Sequence, residues 1–98
     1  MLTITGFLEL AIPLTNSGED NLEEIEEDIQ KALEVRSLGE VSGAGTGLGF
    51  RILDVDIHDH KHIGDVVQLL KKILLEYQLP KGVFVQIQQP YKKREQIS

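Results

Sequence analysis

The stretch FRILDVDIH, running from Phe50 to His58, decides the fold. Within it Leu53, Val55 and Ile57 alternate with Ile52, Asp54 and Asp56. A period of two with one oily side is the pattern of a strand half covered by a core. Downstream the period lengthens. From about His62 to Gln78, Ile63, Val66, Val67, Leu70, Leu74 and Tyr77 form a broad apolar stripe, with Lys71, Lys72 and Glu76 outside it; this predicts an amphipathic helix. Leu79-Pro80-Lys81-Gly82 ends it with a proline and a glycine. A last strand follows from Val83 to Gln88, with Val83, Val85 and Ile87 facing in and Phe84, Gln86 and Gln88 facing out.

The sequence upstream repeats this order. In residues 2 to 14, Leu2, Ile4, Leu8, Leu10, Ile12 and Leu14 share one parity, and Thr3, Thr5, Phe7, Glu9 and Ala11 take the other. Gly6 is a candidate bulge, Pro13 a place for pairing to end, and Asn16-Ser17-Gly18 a loop. From Leu22 a helical stripe begins with Leu22, Ile25, Ile29, Ala32 and Leu33. Asn21 is placed as its N-cap, with Glu24 three residues later as in a capping box. Gly39 is placed to stop the helix in a left-handed conformation. Glu40 to Gly49 then leads into the Phe50 strand.

Two βαβ halves of similar length, joined by a hairpin, predict an α+β, ferredoxin-like βαββαβ sandwich. Its sheet would be four-stranded and antiparallel in the order 4-1-3-2, with both helices on one face. The rival is an α+β order that puts the last strand elsewhere. Residues 1–90 read as a single domain. Residues 91–98, with the basic run Lys92-Lys93-Arg94, read as a flexible C-terminal tail.

The composition narrows the function classes. The 98 residues contain no cysteine, which excludes a disulfide framework, thiolate zinc sites and cysteine nucleophiles. The amino-terminal stretch lacks a basic region and Glu9 interrupts its apolar run, so neither a signal peptide nor a membrane span is expected. A bacterial-type cytoplasmic location is the resulting expectation. The net charge of −6 is local: seven of the 16 acids lie between residues 19 and 28, leaving nine acids against ten bases elsewhere. Nucleic-acid binding is not expected, because it calls for clustered lysine and arginine.

Three features are candidates for function. Gly43, Gly45, Gly47 and Gly49 alternate, but a phosphate-cradling loop needs a helix after it, and here a strand follows. The run reads as an irregular edge strand and hairpin, or as a surface stripped of side chains against which a partner's chain can lie. Second, Asp54, Asp56 and His58 share a parity and are candidate metal ligands; the plainer reading is solvated polar residues with Asp59 capping the second helix. Glu9 and Asp54 or Asp56 would be neighbours if the first and third strands pair, either as an acid–base pair or as an ordinary polar face. Third, Glu23, Glu24, Glu26 and Glu27 exceed what helix capping requires. They suit a basic protein partner or form a merely solvated face.

Gly39 to Gly49, then Leu53-Asp54-Val55-Asp56-Ile57, then Leu79-Pro80-Lys81-Gly82 resemble small bacterial ferredoxin-like proteins, over residues 22 to 88. Some of these resemble immunity proteins of polymorphic toxin systems. The resemblance implies a bacterial cytoplasmic binder that blocks a toxin, and transfers no catalytic residues.

The expectation is therefore a non-enzymatic protein-binding module without a cofactor. Its partner surface would be Glu23, Glu24, Glu26, Glu27, Gly43, Gly45 and Gly47. The alternative is a small-ligand or metal-sensing regulatory domain. Phe7, Ile52 and Phe84, on the uncovered sheet face, are candidates for a homodimer contact.

Overall fold

The computed structural model describes residues 5–14, 22–77 and 79–97. Leu2, Ile4, the Asn16-Ser17-Gly18 loop, Glu19, Asp20, the Asn21 cap and Gln78 lie outside the described residues. The elements are β1 (Gly6–Pro13), α1 (Leu22–Val35), β2 (Gly39–Gly47), β3 (Phe50–Ile57), α2 (Ile63–Leu74), β4 (Phe84–Gln89) and β5 (Lys93–Gln96). The architecture is α+β: two helices and an antiparallel sheet of five strands.

The strand order is β2-β3-β1-β4-β5, a five-stranded sheet where a four-stranded one was expected; its first four strands keep the order 4-1-3-2, and β5 adds a new edge beside β4. The added strand comes from the segment read as a flexible tail. Lys93 to Gln96 pair with Phe84 to Ile87, and Ile97 N–H donates to Val83 O at 2.7 Å. Ile97 also packs against the core. A basic run stays ordered here because its alternate residues meet a strand already in place. The domain therefore continues past residue 90.

One core holds the molecule together. The inward parity of three strands (Leu8, Leu10, Ile12; Leu53, Val55, Ile57; Val85, Ile87) meets Ile25, Ile29 and Leu33 of α1 and Ile63, Val66, Val67, Leu70 and Leu74 of α2. Both helices thus cover the same sheet face. Burying each such side chain contributes about 1.5–3 kcal/mol before conformational entropy is counted against it.

Two helix ends differ from the sequence reading. Helix α1 stops at Ser37 and not at Gly39: Ser37 has φ 53°, with Leu38 N–H on Leu33 O at 3.0 Å and Ser37 N–H on Glu34 O at 3.1 Å. That is the Schellman pairing, with a serine in the left-handed position. Gly39 serves a close approach instead, because a Cβ there would stand 2.1 Å from the Asp56 carbonyl oxygen on β3. Helix α2 begins at Ile63 after a 3₁₀ turn, His60–His62, and is shorter than the 62–78 span expected.

Candidate functional site

Strand β2 is the free edge of the sheet beside β3, and its hairpin turn fixes how it presents itself. Leu48 (φ 54°) and Gly49 (φ 82°) both occupy the left-handed region, the requirement of a two-residue type I′ turn. Leu48 is 98% exposed at the tip. The register then aligns Gly47 with Phe50, Gly45 with Ile52 and Gly43 with Asp54. The three glycines therefore share the sheet face opposite the helices. A Cβ on Gly43 would stand 3.1 Å from Asp54 Oδ2, whereas one on Gly45 or Gly47 would meet nothing within 4 Å. Gly43 makes room for the Asp54 carboxylate; packing within the chain does not ask for glycine at 45 or 47.

On the helix side of β2 stands α1. Gln30 Oε1 accepts from Val41 N–H at 2.7 Å, tying the helix to this edge. Glu26 takes Arg51 of β3 in a two-pronged contact of 3.0 and 3.2 Å, and Arg51 Nη1 donates to Thr46 Oγ1 at 3.3 Å. Asp28 accepts the Tyr77 hydroxyl at the end of α2, and that bond holds the Tyr77 hydroxyl well above its usual pKa. The acidic segment is thus divided. Glu26 and Asp28 pin α1 to the rest of the fold, while Glu23, Glu24 and Glu27 are exposed. A hollow of about 470 Å³ between helix and strand is lined by Glu26, Glu27, Gln30, Lys31, Glu34 and Val41.

The expected partner residues are therefore divided: Glu26 and Glu27 of α1 stand on the helix side of β2, Glu24 lies toward Tyr77, and the missing side chains of Gly43, Gly45 and Gly47 lie on the other face of the strand. Sequence parity alone was unable to show this, because the bulge between Val41 and Gly43 shifts the register of β2.

The uncovered face carries the candidate dimer residues Phe7, Ile52 and Phe84, all half-buried. Ala11, between Ile52 and Phe84, is only 4% exposed. Phe50 and Phe84 meet edge to face at 5.7 Å, and the Arg94 guanidinium lies over the Phe84 ring. Glu9 does pair with Asp54, and accepts from Gln88 Nε2 at 2.9 Å. Burial raises the Asp54 carboxyl above its usual pKa, with Glu9 and Asp56 adding to the shift. A hollow of about 360 Å³ lies over Glu9, Ala11, Ile52, Phe84, Gln86, Gln88, Lys92 and Arg94. Arg94 and Gln86 were missed as site residues, and the all-polar run from Lys92 to Gln96 carries no apolar alternation to mark a fifth strand.

The histidine segment is spread out. Asp59 accepts from Lys61 N–H at 3.1 Å, capping the 3₁₀ turn, and that bond lowers its pKa. His58 Nδ1 lies 3.3 Å from Ser37 O, and His62 Nδ1 lies 3.1 Å from Asp65. Asp54 and Asp56 stay on the uncovered face. Among the described residues no three histidine, aspartate or glutamate side chains are grouped to hold a metal ion, and no helix is long and apolar enough to cross a membrane.

Comparison with protein-family models, with curated proteins and with solved structures found no match to this chain.

Proposed function

We propose that this protein is a non-enzymatic protein-binding module that takes an extended basic segment of its partner along the free edge of β2. One observation carries the reading: past its bulge at Val41–Gly43, the β2 edge lacks the charges that guard a sheet edge. From Ser42 to Gly47 it has no charged side chain, whereas the opposite edge, β5, is four residues long and carries Lys93, Arg94 and Glu95. Charge and shortness are the ordinary protections of a sheet edge against pairing. Counted back from the turn, the antiparallel alternation directs the backbone groups of Thr46 and Ala44 away from β3.

A strand added there would alternate its side chains between two environments. On one face they meet the hollow lined by Glu27, Glu34, Lys31 and the Arg51-paired Glu26, where the acids outnumber the one lysine, which suits lysine or arginine. On the other they lie beside Gly43, Gly45 and Gly47, where large side chains fit. Main-chain hydrogen bonds supply affinity in this mode, and alternate side chains supply specificity. An immunity-type role, masking a basic toxin segment, is the form that the ferredoxin-like resemblance implies.

A labelled peptide of alternating lysine and valine tests the reading by fluorescence anisotropy, against a glutamate–valine control. The lysine peptide binds, and Ala44→Pro on the edge abolishes binding. Reversing Glu27 and Glu34 to lysine weakens it by about tenfold or more. Equal binding of both peptides, or unchanged binding by Ala44→Pro, refutes it. A second reading, a small-ligand or metal-sensing domain, draws on the uncovered-face hollow, whose size falls within the roughly 300–1,000 Å³ of ligand pockets. Titration calorimetry with zinc or manganese tests its metal form at Asp54 and Asp56.

A further inference from the structure

The register of the uncovered face sets two rows of side chains across the sheet. One reads Asp54, Glu9, Gln86, Arg94 from β3 through β1 and β4 to β5. The next reads Ile52, Ala11, Phe84, Gln96. The first row is acid, acid, amide, base. Turned end for end, it is complementary to itself.

Neither end of that row is matched among the described residues. Asp54 has Glu9 and Asp56 as charged neighbours, and among the described residues no cation stands within ion-pair distance of it. Arg94 donates through Nε to Gln86 Oε1 at 3.0 Å and covers Phe84; among the described residues it has no carboxylate partner.

We propose that this face packs on the same face of a second copy, about a two-fold axis parallel to the strands between β1 and β4, so that each Asp54 meets the other copy's Arg94. The same rotation sets Glu9 over Gln86, Ala11 over Phe84 and Ile52 over Gln96. Facing sheets stand about 10 Å apart with interleaved side chains, a gap that an arginine and an aspartate span together. The charges also choose the axis. A two-fold at right angles to the strands lays β3 antiparallel on β3, and with its axis at this end of the strand it sets Asp54 against the other copy's Asp54 or Asp56. Like charges so placed are repelled. Isologous contact closes as a dimer, and the helices stay outside.

This pairing leaves the β2 edge free and does not depend on the peptide-binding reading. Its test is oligomeric state by sedimentation equilibrium on the full chain, with circular dichroism to confirm folding. The wild-type chain sediments as a dimer. Asp54→Arg and Arg94→Asp each weaken dimerisation by about tenfold or more, and the two together restore it. The chain lacks cysteine, so a second measurement stands apart from charge: with a short bifunctional thiol reagent that bridges the gap between the sheets, which a disulfide is too short to span, an equimolar mixture of Glu9→Cys and Gln86→Cys chains cross-links faster than either chain alone. A monomer at millimolar concentration overturns the proposal, as does a dimer whose strength ignores both charge changes. Cross-linking no faster in the mixture than in the single variants overturns it too.

Discussion

The guanidinium carbon of Arg94 on β5 lies 4.2 Å from the centre of the Phe84 ring on β4. This contact, with the Ile97 hydrogen bond to Val83, makes the last residues part of the sheet. Replacing Arg94 with alanine lowers stability by about 0.5–1 kcal/mol, the usual worth of an exposed cation–ring contact. Arg94→Lys keeps part of that. Urea unfolding reads both, and deleting residues 90–98 costs more than either.

Two residues with side chains occupy left-handed positions that glycine or asparagine fills more easily. Ser37 ends α1 with φ 53°, and Leu48 sits in the hairpin turn with φ 54°. Ser37→Gly raises stability by roughly 0.5–1 kcal/mol, and Leu48→Asn acts in the same direction while removing an exposed apolar side chain. Thermal unfolding checks each, and the gains add, because the two sites share no partner.

The glycines separate by position. Gly39→Ala drives a methyl group into the Asp56 carbonyl oxygen and costs about 2 kcal/mol or more, since strand β2 must move. Gly45→Ala and Gly47→Ala change stability by less than about 0.5 kcal/mol, as their added Cβ meets open space. If either of the latter two destabilises as strongly as Gly39→Ala, packing within the chain needs those glycines after all.

Asp54 gives stability a pH dependence of known sign. Its folded pKa lies above 3.8, raised by burial and by Glu9 and Asp56. The folded state therefore holds this proton more tightly, and Asp54 subtracts stability as pH rises past that value. On an Arg94→Ala background, which lacks the partner proposed for Asp54 across the dimer, Asp54→Asn raises the Tm at pH 7 and leaves it unchanged at pH 3, where the native carboxyl is also protonated. Thermal scans at the two pH values check it.

The core was legible because strand and helix periods are local. Leu53, Val55 and Ile57 show their buried side in five residues of sequence. The end of α1 was misplaced because Ser37, which sequence preference does not mark, accepts the left-handed position. It can do so because Leu38 is held by the core behind it. Gly39, the obvious candidate, was needed for its closeness to Asp56. The candidate site was legible only as parts: the glutamates and the glycines were visible, their relation was not.

Periodicity in the chain by itself determined which side chains face inward, how many helices there are, and where the acids and glycines lie. It determines these because each depends on neighbours within one turn of helix or a few residues of strand. Only the tertiary structure decided that Lys93 to Gln96 form a fifth strand. It alone set Glu26 and Glu27 on one face of β2, the glycines on the other, and Asp54 and Arg94 at the ends of one row. Those relations are fixed by hydrogen-bond registers between strands up to about 80 residues apart in sequence, and no local pattern encodes a register.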